Sequence, residues 1–188
     1  MQRRRRMGLT DYRARKRAVA SHRILLVVRF SGKNVSAQFV RPDVKGDAVL
    51  SSVHSHSLRK LKWKGSLKSI PACYLLGLLA GKKAVEKGVK DAVLYNGLNP
   101  FIRGSRIAAF MKGARDGGVQ IPVSEDVLPP EERLRGDTIA KYASSMMNED
   151  REAYQRRFSS LISGGFKPEE YPVQFDKAKQ AIQGGSRR

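Results

Sequence analysis

The sequence predicts an α/β fold, in which helices cover a mixed five-stranded sheet in the order β-β-β-α-β-α-β. Three short β-branched segments lie between residues 24 and 54, with turn residues between them. Two amphipathic helical segments follow, and each leads into another short apolar run. A meander followed by two β-α-β connections is typical of a mixed sheet with packed helices. We therefore predict a domain at residues 24–127, between a basic arm (1–23) and a helical extension (128–188).

The first three strands follow from local patterns. Residues 24–30 are a dense run of Ile, Leu and Val ending at Phe, which indicates a buried strand. The turn sequence Ser31-Gly-Lys-Asn34 separates this run from residues 35–40, where apolar and polar side chains alternate. Two strands this close form a hairpin. Pro42 ends it, and residues 48–54 supply the third strand.

Two helices are marked by their end signals. The first is predicted from Pro71 to Lys87, because Ser69 is a suitable N-cap and Gly88 suits a left-handed C-terminal position. The second is predicted at residues 105–116, before a pair of glycines. These helices supply the layer that covers the sheet.

Short apolar runs at residues 91–95 and 119–123 predict the fourth and fifth strands. Beyond residue 128 the pattern changes, and the Pro-Pro-Glu-Glu-Arg sequence at 129–133 indicates a linker. The apolar stripe of the extension is too thin for a core of its own, so we expect it to pack on the preceding domain or on a neighbour. Its predicted helices are at residues 137–148, 150–163 and 171–182.

The positive charge is unevenly distributed. The net charge is +20, from 37 Lys and Arg against 17 Asp and Glu. Residues 1–118 carry 26 basic and 6 acidic side chains, whereas residues 119–188 carry 11 of each. The whole excess therefore lies in the first part, which indicates a polyanionic partner there.

The arm carries the strongest charge signal, with nine Lys or Arg in residues 1–23 against one acid, Asp11. Such a segment stays extended or partly helical until an anion neutralises it, and arginine forks suit phosphate oxygens. An inert tail, a targeting peptide and a membrane-surface anchor remain as alternatives. The polar stretch at residues 10–17 argues against a secretory signal.

A second basic segment lies at residues 57–69, without any acid and with Trp63 in its middle. Trp63 can stack on a base or fill a hydrophobic edge, and the second role is more usual for tryptophan. The cations of this segment are Arg59, Lys60, Lys62, Lys64 and Lys68.

No catalytic or metal site is predicted. The Gly77–Lys83 segment has three residues between its glycines where a phosphate-binding loop needs four. His54 and His56 share a strand face but have no Asp, Glu or Cys partner nearby. A two-metal nuclease needs several carboxylates at strand ends, and only Asp91 begins a strand. We therefore expect a binding protein that is not an enzyme and uses no cofactor or small-molecule substrate.

Cysteine usage and hydropathy exclude further classes. Cys73 is the only cysteine, so no intramolecular disulfide forms, which is compatible with a reducing cytoplasm. The longest apolar run, near residues 70–80, is well short of the ~20 residues of a membrane span. No membrane association is expected.

An ordered set of segments along nearly the whole chain resembles the universal large-subunit ribosomal protein L-eighteen family, in its archaeal and eukaryotic branch. The segments that carry this resemblance are Arg3–Arg6 with Thr10–Arg13, Arg29–Gln38, Tyr74–Gly81, Gly97–Pro100, Gly104–Arg106, Gly113–Pro122, Arg135–Asp137, Tyr142, Asp150–Phe158 and Lys177–Ile182.

The resemblance implies a structural constituent of the cytoplasmic large ribosomal subunit. Such a protein binds 5S rRNA, attaches it in the central protuberance, and contacts large-subunit rRNA and neighbouring ribosomal proteins. It also implies a ribonuclease-H-like sheet without the catalytic acids. The alternatives are a general nucleic-acid-binding protein and an RNA-processing nuclease.

The candidate RNA-binding residues form three groups. The first group lies on the arm and the second on the hairpin, and both are implied by the resemblance, together with the charge of the arm. The third group is the second basic segment. The arm group is Arg3, Arg4, Arg5, Arg6, Thr10, Tyr12, Arg13, Arg15, Lys16, Arg17 and Arg23. The hairpin group is Arg29, Ser31, Lys33, Asn34 and Gln38. The third group is Arg59, Lys60, Lys62, Lys64 and Lys68.

Overall fold

The sheet of the computed structural model, which describes residues 3–184, has four strands in the order β3-β2-β1-β4. The first three strands pair antiparallel, and β4 pairs parallel to β1. The mixed α/β fold is thus confirmed. The strands are β1 (Leu25–Phe30), β2 (Val35–Arg41), β3 (Ala48–His54) and β4 (Val93–Leu94).

The two faces of the sheet differ in character. Leu26 and Val28 of β1 and Phe39 of β2 lie on the inner face and are fully buried. On the outer face Arg29 lies opposite Ser36, in the same register that places Val27 opposite Gln38. The alternation predicted for β2 therefore separates a core face from an outer face that is polar near the hairpin turn, while Leu25 and Val40 at the other end of that outer face are buried.

Two helices cover the inner face, α4 (Ile70–Glu86) and α5 (Arg106–Asp116). The predicted N-cap is confirmed, because the Ser69 hydroxyl accepts the Ala72 N–H at 3.4 Å. The two helices approach very closely at glycines. A Cβ on Gly77 would lie 2.1 Å from the Phe110 carbonyl oxygen, and one on Gly113 would lie 2.1 Å from that of Tyr74. Gly77 of the rejected phosphate-loop motif thus serves helix packing.

The predicted fifth strand is wrong for the described part of the chain. Residues 119–123 make only an isolated parallel bridge, in which the Gln120 N–H donates to Lys90 O and Ala92 N–H donates to Gln120 O. Pro122 has no N–H to continue the ladder, so the pairing stops after one residue. The fourth strand is also shorter than predicted and covers only Val93–Leu94, where it pairs with β1.

The helical extension shares the core of the sheet domain. Phe166, Tyr171 and Phe175 are each 2% exposed and belong to the same apolar cluster as Leu75 and Trp63. The predicted linker at residues 129–133 is partly helical. The extension helices are α6 (Glu131–Arg135), α7 (Asp137–Glu149), α8 (Arg151–Ile162) and α9 (Tyr171–Gly184).

Three short helices and two single turns complete the described chain. The remaining helices are α1 (Arg3–Arg6), α2 (Tyr12–Ala20) and α3 (Ser57–Lys60), and the 3-10 turns are Glu125–Val127 and Pro168–Glu170. None of the helices within residues 3–184 is long and apolar enough to cross a membrane. The three-part division at residues 23 and 127 stays a prediction, and its outermost residues, 1–2 and 185–188, lie outside the described chain.

Candidate nucleic-acid interface

Helix α2 is the longer of the two helices in the basic arm. Asp11 caps it, since its Oδ1 accepts the N–H groups of Arg13 at 2.9 Å and Ala14 at 3.1 Å. A capping carboxylate satisfies two N–H groups that have no partner inside the helix, and it also opposes the positive end of the helix dipole. The one acid of the arm therefore makes a helix out of a segment whose charges repel one another.

The two faces of α2 are differently exposed. Ala14, Arg15, Ala18 and Val19 are half-buried and mark the face turned toward the protein. The opposite face is exposed and carries three cations at helical spacings of three and four residues, which places them side by side. These three residues are Arg13, Lys16 and Arg17.

Arg15 is used within the protein. Its Nη1 donates to Asp47 Oδ2 at 2.9 Å, and its Nη2 donates to Asp47 Oδ1 and to the Asp43 carbonyl oxygen. The hydrogen bond to Asp47 raises the pKa of the Arg15 guanidinium, so the ion pair stays charged. This two-pronged contact fixes α2 against the loop between β2 and β3. Arg15 thus acts as the attachment point of the arm.

The start of the arm meets the outer face of the sheet. Arg4 Nε donates to Thr10 Oγ1 at 2.9 Å, and Arg29 Nη1 donates to Asn96 O at 3.2 Å. Arg4, Thr10 and Arg29 line one cavity of about 400 Å³, together with the loop at residues 97–99. The structure therefore brings Arg4 of the arm and Arg29 of the hairpin together. The sequence does not show this proximity, because the two residues lie in separate segments.

The hairpin turn divides its candidate residues into two kinds. Ser31 Oγ donates to Asn34 O at 3.1 Å, and Asn34 Oδ1 accepts the Ser55 hydroxyl at 3.0 Å. Ser31 and Asn34 therefore shape the turn. Lys33 and Gln38 are exposed and have their side chains available to a partner.

The second basic segment is attached to the same turn. Lys68 Nζ donates to Ser31 O at 2.5 Å and to Gly32 O at 3.3 Å. Trp63 is 1% exposed and packs edge-on against Tyr171 at 5.8 Å, so it fills the core rather than an RNA stack. The exposed cations of this segment are Arg59, Lys60, Lys62 and Lys64.

The other positions considered in the sequence analysis, Arg23, Tyr12 and the two histidines, do not come together into a further binding site among the described residues. Arg23 is exposed just before β1, and Tyr12 is half-buried at the first turn of α2. His54 and His56 stack on each other at 5.2 Å, and the His56 N–H donates to His54 Nδ1. Within residues 3–184 no group of three or more His, Cys, Asp or Glu side chains could hold a metal ion.

Sequence reasoning missed three arginines. Arg103, Arg106 and Arg133 are exposed around one cavity on the helix side of the sheet. The only local signal was the Arg-Gly-Ser-Arg sequence at residues 103–106, directly before a helix. Arg133 lay in the predicted linker, and no pattern in the sequence joined it to the other two.

Comparisons with known proteins agree with these features. The family described as ribosomal large subunit proteins 60S L5 and 50S L18 matches residues 1–96. A large ribosomal subunit protein uL18 of Thermofilum pendens is 42% identical over 96% of this chain and 92% of its own length. Proteins of the same name are 44% identical over 96% of this chain in Methanothermobacter thermautotrophicus and Aeropyrum pernix, and the match covers 92% and 85% of those proteins.

Proposed function

The chain belongs to the uL18 family of large ribosomal subunit proteins, in its archaeal type, and from this premise we propose that it binds 5S rRNA through its arm. A member of this family is a structural component of the cytoplasmic ribosome and not an enzyme. The proposal adds that the protein attaches 5S rRNA in the central protuberance and also contacts large-subunit rRNA. The nuclease alternative is excluded by the family.

The observation that carries the proposal is the outward face of α2. Its cations Arg13, Lys16 and Arg17 are exposed, and none pairs with a carboxylate among residues 3–184. Each such cation that neutralises a phosphate on a helical RNA tract steepens the dependence of log K on log salt by about 0.9. Because Arg15 already fixes the inner face, the outer face is preoriented for the RNA backbone.

Specificity has to come from RNA shape. The deep major groove of an A-form helix hides its base edges, so proteins contact loops, phosphates and 2′-hydroxyl groups. Lys33, Gln38 and Arg29 lie on the hairpin and outer face, where they extend the surface of the arm. The proposed footprint therefore follows α1, α2 and the hairpin to the exposed cations at residues 59–64.

The neutral extension lies apart from this footprint and suits neighbouring ribosomal proteins. Residues 119–188 taken together have as many acids as bases, so the segment as a whole attracts a polyanion less than the first part of the chain does. A ribonuclease-H-like fold is also proposed. The three antiparallel strands with a parallel fourth support it.

The test is a competition experiment across several salt concentrations. Labelled 5S rRNA is titrated with the purified protein in the presence of excess duplex DNA or an unrelated structured RNA. We expect tight binding to survive both competitors, because shape recognition adds to the phosphate contacts. Equal and steeply salt-dependent binding to all three nucleic acids would overturn the 5S proposal and indicate a general cationic binder.

A further inference from the structure

A groove on the helix side of the sheet has the chemistry of a second anion site. It has a volume of about 520 Å³ and lies between the beginnings of α4 and α5 and the adjoining turns of the extension. Its lining contains Lys68, Arg103, Arg106 and Arg133, and no Asp or Glu. Charges of one sign around a low-dielectric concavity focus the potential and attract counter-ions.

Three of these cations have no protein counter-ion. Lys68 is used by the hairpin turn, but Arg103, Arg106 and Arg133 form no ion pair within the described residues 3–184. Arg106 is held over the Phe30 ring at 4.9 Å. Arg133 Nη1 lies 3.6 Å from the place that a Cβ on Gly104 would take, so it borders the turn before α5. The three guanidinium groups repel one another unless an anion lies between them.

The start of α5 adds unsatisfied donors to the same groove. Ser105 is the N-cap, yet its side chain caps no N–H, and its hydroxyl is buried without any partner among residues 3–184. Within the same described residues, the N–H groups of Arg106, Ile107 and Ala108 also have no acceptor. A buried hydroxyl and free N–H groups at a helix start are the donors that a phosphate oxygen accepts from.

The apolar part of the lining narrows the class of anion. Ile70, Ile102 and Ile139 lie beside the cations, and Ile102 is 61% exposed. A free phosphate ion has no apolar part that could pack against these side chains. A nucleotide within an RNA chain places its ribose and base on apolar side chains while its phosphate meets the arginines.

We propose that this groove binds a phosphodiester of rRNA, at a surface separate from that of the arm. The sheet lies between the two surfaces, because α4 packs on its inner face, with α5 packed against α4, and the arm meets its outer face. This inference rests on the proposed function in one respect, namely that the partner of the protein is RNA. It explains why cations far apart in the sequence converge where no acid neutralises them.

The first test is Ser105→Asp in the full-length protein. An Asp N-cap accepts the free N–H groups of α5, so the melting temperature should stay the same or rise by about 2 °C. The same carboxylate repels a phosphate in the groove, and like charges at an interface cost enough to weaken binding by about tenfold or more. Binding is measured separately with 5S rRNA and with large-subunit rRNA transcripts, which identifies the RNA that supplies the phosphodiester.

A charge-matched comparison completes the test. Replacement of Arg103, Arg106 and Arg133 by Gln should make the slope of log K against log salt shallower by about 0.9 for each phosphate that is no longer neutralised. The control replaces three exposed arginines of α8, Arg151, Arg156 and Arg157, by Gln and changes the net charge equally. Weaker binding of either RNA by the groove variants alone supports the proposal.

Unchanged binding of both RNAs by the groove variants would overturn it, as would an equal effect of the α8 control. The proposed function is judged on different data, namely the preference of the wild-type protein for 5S rRNA. A wild-type protein without that preference would contradict the proposed function while the groove result on large-subunit rRNA still stood.

Discussion

Helices α2 and α9 both join the sheet domain from the chain ends, but they are held in different ways. Helix α9 buries Tyr171, Phe175 and Ile182 in the common core, and Lys82 Nζ donates to the Ile182 and Gln183 carbonyl oxygens at its end. Helix α2 buries no residue, and Arg15 makes its ion pair with Asp47. The difference separates a structural helix from one whose outer face is left for a partner.

Removing the packing of α9 should have the largest effect on the free energy of unfolding. Tyr171→Ala should lower the free energy of unfolding by about 3–5 kcal/mol, since it leaves a cavity beside Trp63 and Phe166. Tyr171→Phe is the matched control and should cost only about 1 kcal/mol, because it removes the oxygen that accepts the Ser66 N–H at 3.0 Å. Urea denaturation measures both. Equal, small losses would mean that the extension does not share the core.

Alkaline pH should weaken the extension before it affects the arm. Burial raises the pKa of Tyr171, and burial together with the nearby Glu169 carboxylate raises the pKa of Tyr154 to about 12. The unfolded phenols ionise near their ordinary pKa of about 10. The unfolded state therefore loses protons first, and stability falls as the pH rises from about 10 to about 12.

Denaturation across this pH range and tyrosinate absorbance check the expectation. Tyr154→Phe should flatten the profile, because it removes one of the raised phenols. The Arg15 ion pair should persist, because the pKa of its guanidinium is raised rather than lowered. Release of the arm at a lower pH than loss of the extension would contradict this order.

The ion pair of the arm suggests the smallest effect on stability. Its side chains are 24% and 32% exposed, so a double-mutant cycle of Arg15→Ala and Asp47→Ala should give a coupling of about 0.5 kcal/mol. Asp47→Ala and Arg15→Ala both remove the contact that orients α2, so both should weaken 5S rRNA binding. Arg15→Ala should weaken it more, because it also removes a cation. Tighter binding by Asp47→Ala would be inconsistent with Arg15 as an attachment point.

The sequence predicted best those features that depend on residues close to one another in the chain. The strands of the hairpin and the Ser69 cap follow from alternation and end residues, and the structure confirms them. The fifth strand was wrong because a ladder depends on a distant partner, which residues 119–123 meet at one bridge only. A segment can have the sequence pattern of a β-strand and still have no neighbouring strand with which to form a hydrogen-bonded ladder.

The candidate site was predictable in its composition and not in its geometry. Charge alone could not separate Arg15 from Arg13, because the difference is set by Asp47, which lies 32 residues away. Nor could it join Arg133 to Arg103 and Arg106, which come from different helices and turns. Trp63 shows the same limit, since its packing partner Tyr171 lies in the extension.

The most direct test of the central claim compares two charge-matched triple variants on 5S rRNA. One replaces Arg13, Lys16 and Arg17 of α2 by Gln, and the other makes the same change at Arg151, Arg156 and Arg157 of α8. The measured quantity is the slope of log K against log salt. We expect the slope of the α2 variant to be shallower by about 0.9 for each phosphate that is no longer neutralised, and that of the α8 variant to be unchanged. Equal slopes in the two variants would contradict the claim that the outward face of α2 binds 5S rRNA.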